Sequence, residues 1–244
     1  MPANLKPFMI PLYFALWLWV AWLPEYSAAP PLYWLLLAVL AWLNADFYSG
    51  LIHIYLDYRP LDKHKGFERL FHYQGDRSSA EFELMKQQVL AQASWLEEIV
   101  YSFKIHHRNV RPYLQFTYSH FFFETFPAAA FLLALAALML PLTSGLLADS
   151  VWFILLLCSV IALHTNHIHA CVHGSKQMRR GVKLIRFLQK IGLMYSARRH
   201  HEHHKAGLQG FCLISGHTDF LVDRICGWLL QKGWISQAEW RGER

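Results

Sequence analysis

Four long apolar runs mark out the chain, each bounded by polar or turn-forming residues. The first, PFMIPLYFALWLWVAWL (7–23), is close to the minimum length that crosses a bilayer. The second covers 31–56; it begins as PLYWLLLAVLAWL and turns polar towards its end, in NADFYSGLIHIYL. The third runs over 126–147 and the fourth over 151–172. The connections at 24–30 and 148–150 leave room only for tight turns, so the pattern predicts two antiparallel helical pairs. Between the second and third runs, 59–95 reads as a soluble insertion. Within and beyond it, SSAEFELMKQQVLAQASWLEEIVYSF has helical spacing, with Ser79 or Ser78 as N-cap and a glutamate following, and is expected to form one amphipathic helix. After the fourth run, SKQMRRGVKLIRFLQKIGLMY (175–195) is too charged for a fifth span. On a helix, Arg179, Lys183, Arg186 and Lys190 share a face, and Met178, Val182, Ile185 and Leu188 share the opposite one. That is the pattern of a basic helix lying in a headgroup layer; the alternative is an amphipathic helix packed on the protein.

Composition agrees with a membrane protein. Hydrophobic residues make up 55% and charged residues 16%, where a soluble domain carries about 25% charged residues. The formal charge of +6 requires nucleic acid, anionic lipid or a solvated surface to explain it. No nucleic-acid module is present, and the apolar content decides for lipid. Of 23 Lys and Arg, Lys6 precedes the first run, nine lie between Arg59 and Arg111, and thirteen lie from Lys176 to Arg244. The two short turns hold none, only the acids Glu25 and Asp149. By the positive-inside rule both termini and the long central loop are cytoplasmic. Cys158, Cys171, Cys212 and Cys226 form no CxxC pair and read as free thiols. The start, MPANLKPF, carries one lysine and no evident cleavage site, so no removable leader is expected. The expected fold is therefore all-α: one multi-pass integral membrane domain over 1–244, with four transmembrane helices, a cytoplasmic histidine-rich cap and an interfacial helix.

Fifteen histidines are more than packing needs, and all fall on the cytoplasmic side of that topology. His53 ends the second run. His106, His107 and His120 precede the third, and His164, His167, His169 and His173 lie at the end of the fourth. His200, His201, His203, His204 and His217 follow, while His64 and His72 sit in the insertion as ordinary loop residues. His53 and Asp57, His120 and Glu124, and His169 and His173 are each four apart, which makes them neighbours on a helix surface. ARRHHEHHKA adds an HxxHH set at His200, His203 and His204. A single zinc needs four ligands, so a set of this size fits two metals better; imidazole alone does not choose between iron, copper, nickel and zinc. Helical bundles build two-iron sites from facing helices. The expected ligands are His53, Asp57, His106, His107, His120, Glu124, His169, His173, His200, His203 and His204, with His164, Asn166, His167 and His201 around them.

At these residues the chain resembles the plasmanylethanolamine desaturase family, whose lipid desaturase domain includes a plant plastid acyl-lipid desaturase branch. The family pattern D-F-x-S-G-x-x-H-x-x-x-D is similar to DFYSGLIHIYLD, which carries His53 and Asp57. FKIHH matches with His106 and His107, SHFFFETF with His120 and Glu124, and TNHIHACVH with His169 and His173. HHEHHKAGLQGFCLISG matches with His200, His203 and His204. The chain departs in having Ile54 after the first histidine, Arg199 and Gly192 where further histidines are frequent, and additional histidines at 167 and 201. The 48 residues between Asp57 and His106 are also more than double the family's spacing. The resemblance implies a desaturase using two non-heme irons, O₂ and an external electron donor of cytochrome b5 or ferredoxin type, acting on the alkyl or acyl chain of a membrane lipid. A hydroxylase or other oxygenase on the same scaffold would share these residues. Outside the oxidoreductases, a membrane zinc hydrolase or a metal transporter is the alternative.

Overall fold

The computed structural model describes residues 6–22, 29–110, 114, 117–139, 145–173 and 182–240, and among them the only regular structure is helical. Helix α1 spans Lys6–Trp22 and α2 Pro31–Tyr58. A 3₁₀ turn at Lys63–Lys65 leads to α3 (Phe67–Phe71), α4 (Ala80–Leu90) and α5 (Trp95–His106). Then come α6 (Tyr118–Met139), α7 (Leu146–Leu163), α8 (Thr165–Val172), α9 (Val182–Lys190), α10 (Ala197–Ala206), α11 (Asp219–Gln231) and α12 (Gln237–Trp240).

Three of these, α2, α6 and α7, are long and apolar enough to cross a membrane, and α1 is a shorter apolar helix. Several boundaries differ from the sequence reading. The third run was expected over 126–147, but its helix starts at Tyr118 and ends at Met139. The expected turn at 148–150 lies inside α7, whose N-cap is Gly145 at φ 100, a conformation open to glycine. The fourth run is also interrupted: His164 sits at φ −93, ψ 1 and divides α7 from α8. The turn expected at 24–30 falls mostly outside the described residues.

Of the two expected sequential pairs the second forms, as α6 against α7, while α1 and α2 find other main partners. Helix α7 lies against both α6 and α2, while α1 rests on α6. Small residues permit the α2–α7 approach: Ala41, Ala45, Cys158 and Ala162 are all buried, and Cys158 Sγ reaches the Ala41 carbonyl at 3.0 Å. On α1, Tyr13 meets the rings of Phe122 and Phe126, each at 6.0 Å, and the Trp17 indole donates to the Leu156 carbonyl at 3.0 Å. Outward-facing Leu32, Leu35, Leu36, Phe131 and Leu138 leave the long helices with an apolar exterior.

The stretch expected as one helix from Ser79 is two. Ser79 does cap α4, its Oγ accepting the Phe82 N–H, but the chain breaks at 91–94. It restarts with a capping box in which Ser94 and Glu97 satisfy each other's backbone N–H groups. Glu97 also pairs with Lys65 at 2.6 Å. Phe67, Leu70, Phe71, Phe82 and Val89 form a core against Val100, Tyr101 and Phe103 of α5, so 59–95 buttresses that helix.

Helix α9 was read with Met178, Val182, Ile185 and Leu188 on its apolar face and Arg179 on its basic one. Met178 and Arg179 lie outside the described residues. Ile185 and Leu188 are half-buried, and the exposed apolar positions are Leu184, Phe187 and Ile191.

Candidate metal centre

Four helix segments bring donors to one end of the bundle. α2 supplies His53 and Asp57 from successive turns. α5 ends at His106, with His107 as its C-cap, α8 supplies His169 with His173 at its C-cap, and α10 supplies His200, His203 and His204. Adjacent residues on a helix point about 100° apart, so the two motifs with neighbouring histidines divide their members. His106, His169, His173, His200 and His204 form one group, and His53, Asp57, His107 and His203 form another. Within each, the donor atoms all lie within 4.8 Å of one another. The two groups abut, with the His107 and His204 rings 4.5 Å apart by centroid.

The spacing within the five-histidine group is that of ligands. An imidazole nitrogen offers one lone pair or one N–H, enough for one hydrogen bond. His200 Nε2 nevertheless has three ring nitrogens around it: His169 at 2.8 Å, His173 at 2.8 Å and His204 at 2.9 Å; His169 and His173 are 3.2 Å apart. Bonds of about 2.1 Å to a common metal place neighbouring ligand nitrogens about 3.0–3.4 Å apart, from right-angled to tetrahedral arrangements. In the second group, Asp57 is shared: His53 Nε2 lies 3.3 Å and His203 Nε2 3.2 Å from Oδ2, and His107 Nε2 lies 3.0 Å from Oδ1. His53 Nε2, His203 Nε2 and Asp57 Oδ2 are buried with no hydrogen-bond partner among the described residues. Orphaned buried donors and acceptors of this kind are costly, and a bound cation would satisfy all three atoms at once.

The far side of three of the eight rings is fixed as metal ligands require. His53 Nδ1 donates to the Phe211 carbonyl at 2.7 Å, His203 Nδ1 to the Gln209 carbonyl at 2.9 Å, and His106 Nδ1 to the Phe103 carbonyl. Each Nε2 is thereby left as a lone pair aimed into its group. Burial, reinforced by neighbouring imidazoles, holds His106, His200 and His204 well below the ordinary imidazole range. Burial lowers His107 as well, against the attraction of Asp57. These rings are therefore neutral, the state in which imidazole binds a metal. Phe103 packs against His53, His106 and His169 at 4.8–5.8 Å, and Phe211 against His53 and His203 at 5.5 and 4.9 Å, so aromatic rings line both groups.

Two carbonyls from one loop thus set two of the clustered histidines on different helices, and that loop is held by acids to which the sequence reading gave no role. Asp46, fully buried on α2, accepts from the backbone N–H groups of Ser215, Gly216 and Thr218 at 2.7–3.1 Å and from the Thr218 hydroxyl at 2.8 Å. Ser49 Oγ accepts the Leu213 N–H at 3.0 Å, Asp219 that of Cys212 and Asp223 that of Gly210, both at 2.9 Å. The DFYSG motif contained Asp46 and Ser49, but a carboxylate that binds backbone leaves no spacing to read. Trp240 was missed for a similar reason; it lies at the far end of the chain, 5.5 Å from the His107 ring.

His120 and Glu124 were expected among the ligands and belong to neither of the two groups. His120 Nε2 lies 3.1 Å from Glu124 Oε1, which also accepts from Ser102 at 3.1 Å, and Asn166 donates to Oε2 at 2.8 Å. Ser102 is one turn before His106, and Asn166 one turn before His169, so Glu124 ties together two ligand-bearing helices. Of the surrounding residues expected, Asn166 holds Glu124. His164 bonds the Val160 carbonyl at 2.7 Å and the Tyr118 hydroxyl at 3.0 Å, His167 packs on the Tyr118 ring, and His201 is exposed. His64 and His72 are exposed in the insertion, and His217 faces Trp42.

Residues 92–238 match the family model described as a lipid desaturase domain. No curated protein and no solved structure matches the chain. The matched stretch contains seven of the eight clustered histidines; His53 and Asp57 precede it and join it through folding.

Proposed function

We propose, from the premise that the chain belongs to the lipid desaturase domain family, that it is a two-iron, O₂-dependent desaturase acting on an alkyl or acyl chain of a membrane lipid. The observation that carries this reading is the pair of abutting, buried ligand groups, one of five histidines and one of three histidines and Asp57. Iron bound there would supply the activation of O₂ needed to remove hydrogen from an unactivated C–H bond. The chain's own residues do the rest. The Phe211, Gln209 and Phe103 carbonyls orient the ligands, Phe103 and Phe211 keep water from the rings, and Asp46 holds the carbonyl-bearing loop. Forming a C=C bond while O₂ becomes water consumes two further electrons and two protons, so a one-electron carrier of cytochrome b5 or ferredoxin type is the expected partner; no nucleic acid is.

The apolar exteriors of α2, α6 and α7 support a multi-pass membrane location, with α1 as a fourth span. The distribution of Lys and Arg supports a cytoplasmic placement of both termini and of the metal centre. A transporter would carry ligands along a path through the bilayer, whereas both groups lie together at one end of the long helices.

The test is to express the chain with its reductant and compare membrane lipids under air and under anaerobiosis. Loss of two hydrogens from a lipid chain, only in air and abolished in His169→Ala, is the expected result. Gain of one oxygen would make the enzyme a hydroxylase on the same scaffold. Activity retained without oxygen or reductant would move it to the zinc hydrolases.

A further inference from the structure

An amphipathic helix on a globular protein normally turns its apolar face inward. Helix α9 does the reverse. Leu184, Phe187 and Ile191 fall on one face at spacings of three and four and are 61%, 55% and 49% exposed, and Leu193 just beyond is 47% exposed. Lys183, Arg186 and Lys190 form an adjoining stripe, also exposed. A bare apolar face beside a basic stripe is chemically complementary to acyl chains below anionic headgroups.

The depth of the helix agrees. Its end is closed by Gly192 at φ +77, where Leu193 N–H returns to the Leu188 carbonyl at 2.8 Å. Gly192 lies beside His217, and the His217 ring packs on Trp42 of α2 at 5.2 Å. Trp42 stands where α2 passes from its unbroken apolar run into Asn44 and Asp46, the level at which a spanning helix leaves hydrocarbon.

We infer that α9 lies in the headgroup layer and binds the anionic lipids of the bilayer in which the chain is embedded. The consequence reaches the metal centre. The Gln189 side chain donates to the Tyr195 carbonyl at 2.9 Å, and buried Tyr195 bonds the loop twice, N–H to the Ile214 carbonyl at 2.8 Å and hydroxyl to the Gly210 carbonyl at 2.7 Å. That loop also carries the carbonyls that orient His53 and His203. Seating α9 on lipid therefore steadies the loop, in the chain segment between ligand helices α8 and α10. The helix would seat in the same way whatever reaction the metals run.

The test is hydrogen exchange over 182–193 in the full chain, reconstituted in nanodiscs of phosphatidylcholine alone or with phosphatidylglycerol added. Exchange at 184–193 is expected to slow by about tenfold or more in the anionic discs. Salt should reverse the effect, and a Lys183→Glu, Arg186→Glu, Lys190→Glu variant with unchanged helicity should lack it. Equal exchange of the wild type in both discs would overturn the inference. So would protection in detergent that rises with protein concentration, which would assign the face to a second copy.

Discussion

Asp46 shows how a residue away from the donors decides what they can do. Its carboxylate neutralises three backbone N–H groups that would otherwise be buried without acceptors, each worth on the order of 1–3 kcal/mol. Through the loop so held it places the Phe211 carbonyl against His53 and the Gln209 carbonyl against His203. Asp46→Ala is expected to weaken metal binding at the group containing Asp57 by about 10–100-fold and to spare the five-histidine group. Chelator competition resolves the two; equal weakening of both would mean that Asp46 acts only on global stability. Glu124 calls for the opposite expectation. Because it braces Ser102 and Asn166 and belongs to neither group, Glu124→Gln should keep the full metal complement, while Glu124→Ala lowers the melting temperature. Loss of metal in the glutamine variant would make Glu124 a ligand.

Elements carry the next level of constraint. A Cβ on Gly50 would come within 2.8 Å of Cys212 Sγ and 2.9 Å of a Val222 methyl, short and stiff groups held on the loop and on α11. Gly50→Ala should therefore separate α2 from α11 and cost about 1–3 kcal/mol, read as an earlier denaturation midpoint; an unchanged midpoint would show that the crossing has slack. In the insertion, the Lys65 ammonium, together with the Ser94 N–H, holds the Glu97 carboxyl at about 2 against an ordinary 4.5. A depressed carboxylate stabilises the fold above its unfolded value and loses that contribution as pH falls from 4.5 towards 2. Glu97→Gln should flatten this part of the stability–pH curve relative to wild type, and superimposable curves would show that the pair contributes nothing.

The helical ligand pairs were legible in the sequence because i, i+4 spacing is a local property: His53 with Asp57, and His169 with His173, come together as read. HxxHH and HH were legible as clustered donors but not as members of different groups, since that division depends on how α5 and α10 face each other. The placement of α2 against α7 and of α1 against α6, the break at Ser94 and the loop held by Asp46 were not legible. Each rests on a contact between distant segments or on a capping pair embedded in an amphipathic pattern.

At the scale of the whole molecule, helices that lie far apart in the chain converge so that nine donor side chains occupy one end of an otherwise apolar bundle. Clustered imidazoles, three of them with outer nitrogens tied to carbonyls, have little reason to assemble except around cations, and the two-group arrangement supports the proposal of two metals. The most direct test is metal stoichiometry on protein purified in mild detergent, with iron and zinc quantified together in wild type, His200→Ala and His53→Ala. Two irons per chain in wild type and one in each variant is the predicted result. One zinc and no iron, or both metals lost together in either variant while the chain remains helical, would contradict a centre built from two separable sites.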